Sequence, residues 1–431
     1  MTENVRMSAR RRRVLLGLGA MALPAWLGAK PPPLAKARVV VIGGGVAGAA
    51  CARWLRWLSP QLRIVLIEPQ AIVYSGFFCN TVIAGLHPLA HVARQPAALS
   101  DDRIEVVAAA VTGVETDRRR IYLSDGRALS ADAIVLAPGI AMRSDSVAGF
   151  DGLAMRDNPP AWPGGRKALA TVRDRLLALP PGGVVVVAPP AAPYRCPPGP
   201  YERVSLFAHV LLQRNPRAKI LIADAKDSFS KQTLFLEAWA RHYPGMIEWI
   251  GRQDGGQVEH YDHASQRVQL ANGDVIAADW SHIIPQQKAG LVAESAGVTD
   301  RSGWISVDPT DFHVPGTQGV YAVGDATQAQ PMPKSAFSAY NQARACSHAI
   351  VASLQGRPFE PELLANTCYS MVTPDAAFSV SSLYEVRRGQ LRIRNPDSQL
   401  SPLIASVEAR RREADEARAL YAHLMRLCYG R

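Results

Sequence analysis

Arg38-Val39-Val40-Val41-Ile42-Gly43-Gly44-Gly45-Val46-Ala47-Gly48 opens with a continuous β-branched run and passes straight into G-x-G-x-x-G. Such a run suits a strand buried on both faces of a parallel sheet. A helical segment, Ala49 to Leu58, follows the glycines. Ile64-Val65-Leu66-Ile67 then reads as a second strand, and Glu68 ends it 20 residues after Gly48. Strand, glycine loop, helix, strand and acid in this order form a complete dinucleotide fingerprint. Gly43 permits the tight turn, Gly45 lets the backbone approach a pyrophosphate, and Gly48 lets helix pack on strand. The helix N-terminus supplies a positive end for the phosphates. Glu68 is suited to accept hydrogen bonds from the adenosine ribose hydroxyls.

Upstream of the fingerprint, Arg10-Arg11-Arg12-Arg13 precedes an apolar stretch reaching about Ala29, then small residues fit for cleavage. This reads as an export leader over residues 1–37 of the twin-arginine type, which carries folded proteins to the periplasm. The leader holds seven of the 48 basic residues and one of the 37 acids, so it accounts for much of the +11 charge. The remaining surplus is small and unclustered, and nucleic acid is not indicated. With 431 residues and 48% hydrophobic content, two or three domains with a large core are expected. Disordered and collagen-like classes are excluded. Six cysteines are too few for a disulfide scaffold. No apolar run reaches the ~18 residues of a membrane span.

Downstream, Asp132-Ala133-Ile134-Val135-Leu136-Ala137-Pro138-Gly139 is a further buried strand ending in glycine, and Gly319-Val320-Tyr321-Ala322-Val323-Gly324-Asp325 repeats the pattern. Together with the fingerprint these pieces resemble the two-dinucleotide-domain flavoproteins, a fold class of α/β type with two Rossmann-like domains. The resemblance implies FAD, with Gly139, Gly324, Asp325 and Lys334 at the cofactor and Asp325 on the ribityl chain. The helix from about Ser335 would point its N-terminus at the isoalloxazine ring. In the middle segment, Val184-Val185-Val186-Val187 should open a second nucleotide fold. It leads into Ala188-Pro189-Pro190-Ala191-Ala192-Pro193, which offers a pyrophosphate neither N–H groups nor close approach. NAD(P)H binding is therefore not expected. No histidine spacing supports a metal.

In place of a glycine loop stands Cys196-Pro197-Pro198-Gly199-Pro200-Tyr201-Glu202-Arg203, a cysteine among prolines with a carboxylate opening a helix. Such a thiol is positioned, with an acid/base candidate close by. A second cysteine lies in Asn366-Thr367-Cys368-Tyr369-Ser370. These segments, with Gln286 to Gly290, Val307-Asp308-Pro309 and Met332 to Ser338, resemble the flavoprotein subunit of flavocytochrome c sulfide dehydrogenase in order along the chain from 38 onward. The resemblance implies that Cys196 and Cys368 form a redox-active disulfide, attacked by hydrosulfide, with Glu202 as acid/base. It also implies electron transfer to a c-type cytochrome, on a separate subunit because no C-x-x-C-H occurs here.

One departure stands out. The family's flavin-tethering cysteine falls at Gly76, and Cys79 lies three residues later. FAD is then held without a covalent link, which we favour, or through Cys79. Cys51, Cys346 and Cys428 read as core thiols. Two further functions stay open: a sulfide:quinone oxidoreductase, disfavoured by the many charges of 404–418, and a flavin-binding accessory protein without turnover. The expected organisation is a FAD domain over 38–150 and 281–360, an inserted second Rossmann-like domain over 151–280, and a C-terminal interface domain over 361–431.

Overall fold

Val39, Val40 and Val41 are wholly buried because their strand has a parallel neighbour on each side. The computed structural model describes residues 34–160, 165–394 and 399–430. Residues 1–33 of the expected leader lie outside them. In chain order the first elements are β1 (Arg38–Ile42), α1 (Val46–Leu58), β2 (Arg63–Ile67), α2 (Cys79–Ile83), β3 (Glu105–Val107) and β4 (Ala133–Leu136). Next come β5 (Val184–Ala188), α3 (Gly199–Arg214), β6 (Lys219–Ala223), α4 (Gln232–His242), β7 (Ile247–Ile250) and β8 (Trp280–Ile283). The last are β9 (Val320–Ala322), α5 (Ala336–Leu354), β10 (Leu364–Thr373), β11 (Ala376–Arg387), β12 (Gln390–Ile393) and α6 (Val407–Tyr429).

The first sheet has the order β9-β4-β1-β2-β3, all parallel. Its outermost strand β9 returns from far along the chain, with Val320 opposite Ile134. Between β4 and β9 the chain builds a second parallel sheet, β7-β6-β5-β8. The two sheets thus form the α/β, double-Rossmann class expected. β10, β11 and β12 make an antiparallel sheet that presents β10 to α3 and α5. α6 then crosses back onto α1. Its buried face is Ala414, Ala417, Tyr421, Leu424, Met425 and Cys428, whereas Leu420 and Leu427 are only half-buried. The small residues let the helix approach closely. Arg53 of α1 closes its C-terminus by donating to the Arg426 and Leu427 carbonyls at 2.6 and 2.9 Å.

The glycine loop sets how closely α1 meets β1. A Cβ on Gly48 would stand 1.8 Å from the Gly43 carbonyl oxygen, a backbone atom with nowhere to go. Gly48→Ala should therefore cost about 1–3 kcal/mol or more, read as a lower Tm. An unchanged Tm would contradict this packing.

Candidate active site

A cleft partly open to solvent is lined by Gly45 of the glycine loop and by both Cys196 and Cys368. α1 begins on it, with Gly45 as N-cap, no side-chain cap and no acid in its first turn. Its first amides are thus left for an anion. A Cβ on Gly45 would meet nothing within 4 Å, so the backbone beside the cleft is open to close approach. Gly43 has a φ of 107°, and a Cβ there would strike the Ala137 carbonyl at 2.3 Å. Glu68 lies behind the wall and braces the loop. Its Oε2 accepts from Gly44 N at 2.8 Å and its Oε1 from Gln70 N at 2.9 Å. Tyr429, in the last turn of α6, lines the cleft and donates its hydroxyl to the Gly44 carbonyl at 2.9 Å.

Gly139 and Asp325 also line the wall, and Gly324 packs against Ala47. Asp325 pairs with Arg195 Nε at 3.1 Å, yet its Oδ1 is buried with no hydrogen-bond partner among the described residues. A buried acceptor left unmatched is costly, and a flavin's ribityl hydroxyl is a donor that would satisfy it. Open glycine, bare helix amides and orphaned carboxylate oxygen together fit FAD. Lys334 lines the cleft as well and ties this wall together. Its ammonium donates to the Asp325 and Thr327 carbonyls at 3.0 and 2.5 Å and lies 3.7 Å from the Trp304 ring centroid. Burial lowers it to about 8.

The cysteines come together although 172 residues separate them in the chain. Cys196 lies on the proline-rich loop between β5 and α3, Cys368 in the middle of β10, both line the same cleft, and each thiol is close enough to shift the other's ionisation. Cys196 adopts a left-handed φ of 56°, which costs of order 1–3 kcal/mol and needs neighbours to impose it. Its N–H donates to the Lys334 carbonyl and its carbonyl accepts from Gly199 N, both at 2.8 Å. Cys368 is held by its ladder to Val380 on β11 and by Lys231, whose Nζ donates to the Cys368 carbonyl at 2.8 Å.

Glu202, in the first turn of α3, is anchored from two sides. Met371 N of β10 donates to Oε1 at 2.9 Å, and Asn80 Nδ2 of α2 to Oε2 at 2.7 Å. Burial pushes this carboxyl above its ordinary 4.5, while the two donors pull it back. The thiols are unequal. The neighbouring Cys368 thiol and burial push Cys196 well up. The Cys196 thiol, and then the Lys231 ammonium, hold Cys368 down to about 7 against burial.

The remaining candidates fall elsewhere. Gly76, Phe77, Phe78 and Asn80 line the cleft, but Cys79 does not. It is buried at 1% exposure, with Sγ 3.9 Å from Asn80 Oδ1 and in hydrogen-bond contact with Arg203. Cys51 and Cys346 are wholly buried between α1 and α5, and Cys428 is buried under α6. Among the described residues no group of three or more His, Cys, Asp or Glu could hold a metal ion. At the end of β6, where a nucleotide fold keeps its ribose-binding acid, Asp224 is wholly buried and taken. Tyr201 donates to it at 2.5 Å, Trp249 at 3.0 Å and Lys226 at 2.6 Å. Lys231, Tyr429 and the Arg195–Asp325 pair were not foreseen from the sequence. Arg195 had a signal in its position beside Cys196; Lys231 and Tyr429 had none.

Three family models match the chain. The pyridine nucleotide-disulphide oxidoreductase model covers residues 37–174. The central model of the sulfide dehydrogenase [flavocytochrome c] flavoprotein chain covers 169–285, and the flavin-binding model of flavocytochrome c sulphide dehydrogenase covers 360–426. A 45-residue stretch is 44% identical to the sulfide dehydrogenase [flavocytochrome c] flavoprotein chain of Chlorobaculum thiosulfatiphilum, spanning 10% of this chain and 94% of that sequence. The sulfide:quinone oxidoreductase of Aquifex aeolicus superposes with a TM-score of 0.72 at 19% identity, over 91% of this chain and 92% of its own. Putidaredoxin reductase, solved in covalent complex with putidaredoxin, gives 0.63 at 18%, over 92% and 99%. These two likenesses speak for the fold, and the flavin-binding match makes FAD the cofactor. The chain belongs to the flavocytochrome c sulfide dehydrogenase flavoprotein family.

Proposed function

We propose that this chain oxidises sulfide at a Cys196–Cys368 disulfide and passes the electrons through FAD to a c-type cytochrome on a separate chain. The observation that carries the reading is the meeting of two distant cysteines, one on a strained loop, beside an anchored carboxylate at the flavin cleft. Hydrosulfide attacks one sulfur of the disulfide, a persulfide forms, and the other sulfur leaves as thiolate. Glu202 takes the proton that the incoming sulfur carries. Bound FAD supplies a two-electron acceptor able to release electrons singly. The chain's own part is to hold the sulfurs against the cleft and orient the cofactor through the α1 amides and Asp325.

Three finer readings go with it. FAD is held without a covalent link, since Gly76 carries no thiol and Cys79 is turned to Asn80 and Arg203. NAD(P)H is not a donor, because prolines replace the second glycine loop and Asp224 is occupied by Tyr201, Trp249 and Lys226. The chain works in the periplasm, with 361–431 as the face toward its cytochrome. Among the described residues no helix is long and apolar enough to cross a membrane.

A quinone acceptor is favoured by one observation: Leu403, Ile404 and Val407 are exposed where α6 begins, Ile404 at 88%. Glu408, Arg411 and Arg412 are exposed in the turn that follows, which keeps the cytochrome reading ahead. The test is anaerobic titration of the flavin-loaded protein with sulfide, followed by the flavin absorbance. Bleaching, then recovery on adding cytochrome c but not a soluble quinone, is the expected result. A flavin that stays oxidised in sulfide would overturn the assignment.

A further inference from the structure

Lys231 is a buried lysine with no ion pair among the described residues. It is 6% exposed, and among the described residues no carboxylate comes within ion-pair distance of its Nζ. What the ammonium touches is the Cys368 carbonyl at 2.8 Å, with the Phe378 ring centroid 5.7 Å away. Its backbone is fixed in the left-handed region, φ 64°, immediately before α4, where its carbonyl accepts from Phe235 N at 3.1 Å. A strained backbone and a buried cation at one residue both need a reason, and such features gather at working sites. The groups that face the ammonium are, in order of influence, Cys368, Glu202, Cys196 and Glu413. Glu413 is already engaged by Arg410 at 2.9 Å, and Glu202 by Met371 N and Asn80. The sulfurs are the anions still to be matched.

We propose that Lys231 is the counter-ion of the thiolate released when the Cys196–Cys368 bond opens, and that it thereby directs the incoming sulfur to Cys196. The inference deepens the reading above and rests on it for the identity of the pair. Lys231 touches neither the incoming sulfur nor the bond that breaks, so it is a positioning residue acting through Cys368. Hydrosulfide attacks Cys196 Sγ. A bond forms between the substrate sulfur and Cys196, the Cys196–Cys368 bond breaks, and its electron pair departs on Cys368 Sγ. The substrate sulfur is oxidised and the disulfide reduced. One negative charge enters as hydrosulfide and one remains as thiolate, now beside the ammonium. The substrate proton stays on the persulfide until Glu202 takes it. A thiol with the lower pKa leaves faster; the ammonium favours the anion on either sulfur, and it weighs more on Cys368, whose carbonyl it holds, than on Cys196. The charged and titratable groups around Cys368 are Cys196, Lys231 and Glu202, with the Tyr384 hydroxyl also in its field.

The test uses the flavin-loaded protein reduced with dithiothreitol, so it does not depend on sulfide. Iodoacetamide pulses across a pH series, with mass spectrometry of the Cys196 and Cys368 peptides, give the ionisation midpoint of each thiol. In the wild type Cys368 should react first, with a midpoint near neutrality. Lys231→Met, close in length and apolar, should raise that midpoint by a pH unit or more, slowing Cys368 alkylation about tenfold at neutral pH, while Lys231→Arg keeps it low. A midpoint unmoved in Lys231→Met, or moved equally in Lys231→Arg, overturns the proposal. A second measurement needs no variant. The oxidised wild type is exposed to sulfide, quenched with iodoacetamide, and mapped. Extra sulfur on Cys196 with plain alkylation on Cys368 supports the proposal, and the reverse pattern overturns it. If sulfide adds to neither cysteine yet Lys231→Met still shifts the midpoint, the counter-ion role stands and only the choice of sulfide falls.

Discussion

Cys196→Ser is expected to slow sulfide-driven flavin bleaching by roughly 10³-fold or more, the scale on which a covalent participant is lost. A serine oxygen cannot form the disulfide that sulfide attacks, and Cys368 is then left as a lone thiol against Lys231. The loop itself should survive. Its left-handed turn is held by backbone bonds to Lys334 and Gly199, not by the side chain. Flavin content and reduction by dithionite should therefore match the wild type. Stopped-flow absorbance with sulfide against dithionite reads both at once. Rapid bleaching by sulfide in this variant would mean that electrons enter without the cysteines.

The second large effect belongs to Glu202. Glu202→Gln keeps the size of the side chain but removes the proton acceptor, and a loss of about 10²-fold in the sulfide step is expected. The sign of its pH dependence follows from the environment. Burial raises this carboxyl above 4.5, so the base is spent by protonation as pH falls through that raised value. The wild-type rate should drop on an acid limb lying above the ordinary carboxylate range, and Glu202→Gln should lack that limb. The amide would also set a second donor against Asn80 Nδ2 or Met371 N, both of which now donate to the carboxylate. A retained limb in the variant would assign it to another group, with Cys368 next in line.

Much of this was legible in the sequence, for reasons that differ by residue. The strand at 38–42 and Gly43, Gly45 and Gly48 were readable because their constraint is local: a β-branched run wants two neighbours, and a helix meeting a strand leaves no room for a Cβ. Asp325 and Gly139 were readable as ends of buried strands. The proline loop at Cys196 announced a stiff thiol and an absent second nucleotide site. Which face of α6 is buried was harder, because Ala414 and Ala417 pack closely while Leu420 stays half-exposed.

Local chemistry is written in consecutive residues, so the sequence alone determined the dinucleotide fold, its glycine turn, the loss of the second glycine loop and the candidate cysteines. Contact between remote segments is not written there. That Cys368 meets Cys196, that Lys231 brings an unmatched charge to them, that Tyr429 reaches back to Gly44, and that Cys79 turns from the cleft to Arg203 all depend on how separate sheets pack. Such packing is settled by burial of apolar faces over the whole chain, and a buried charge acquires its partner only when the walls around it have closed.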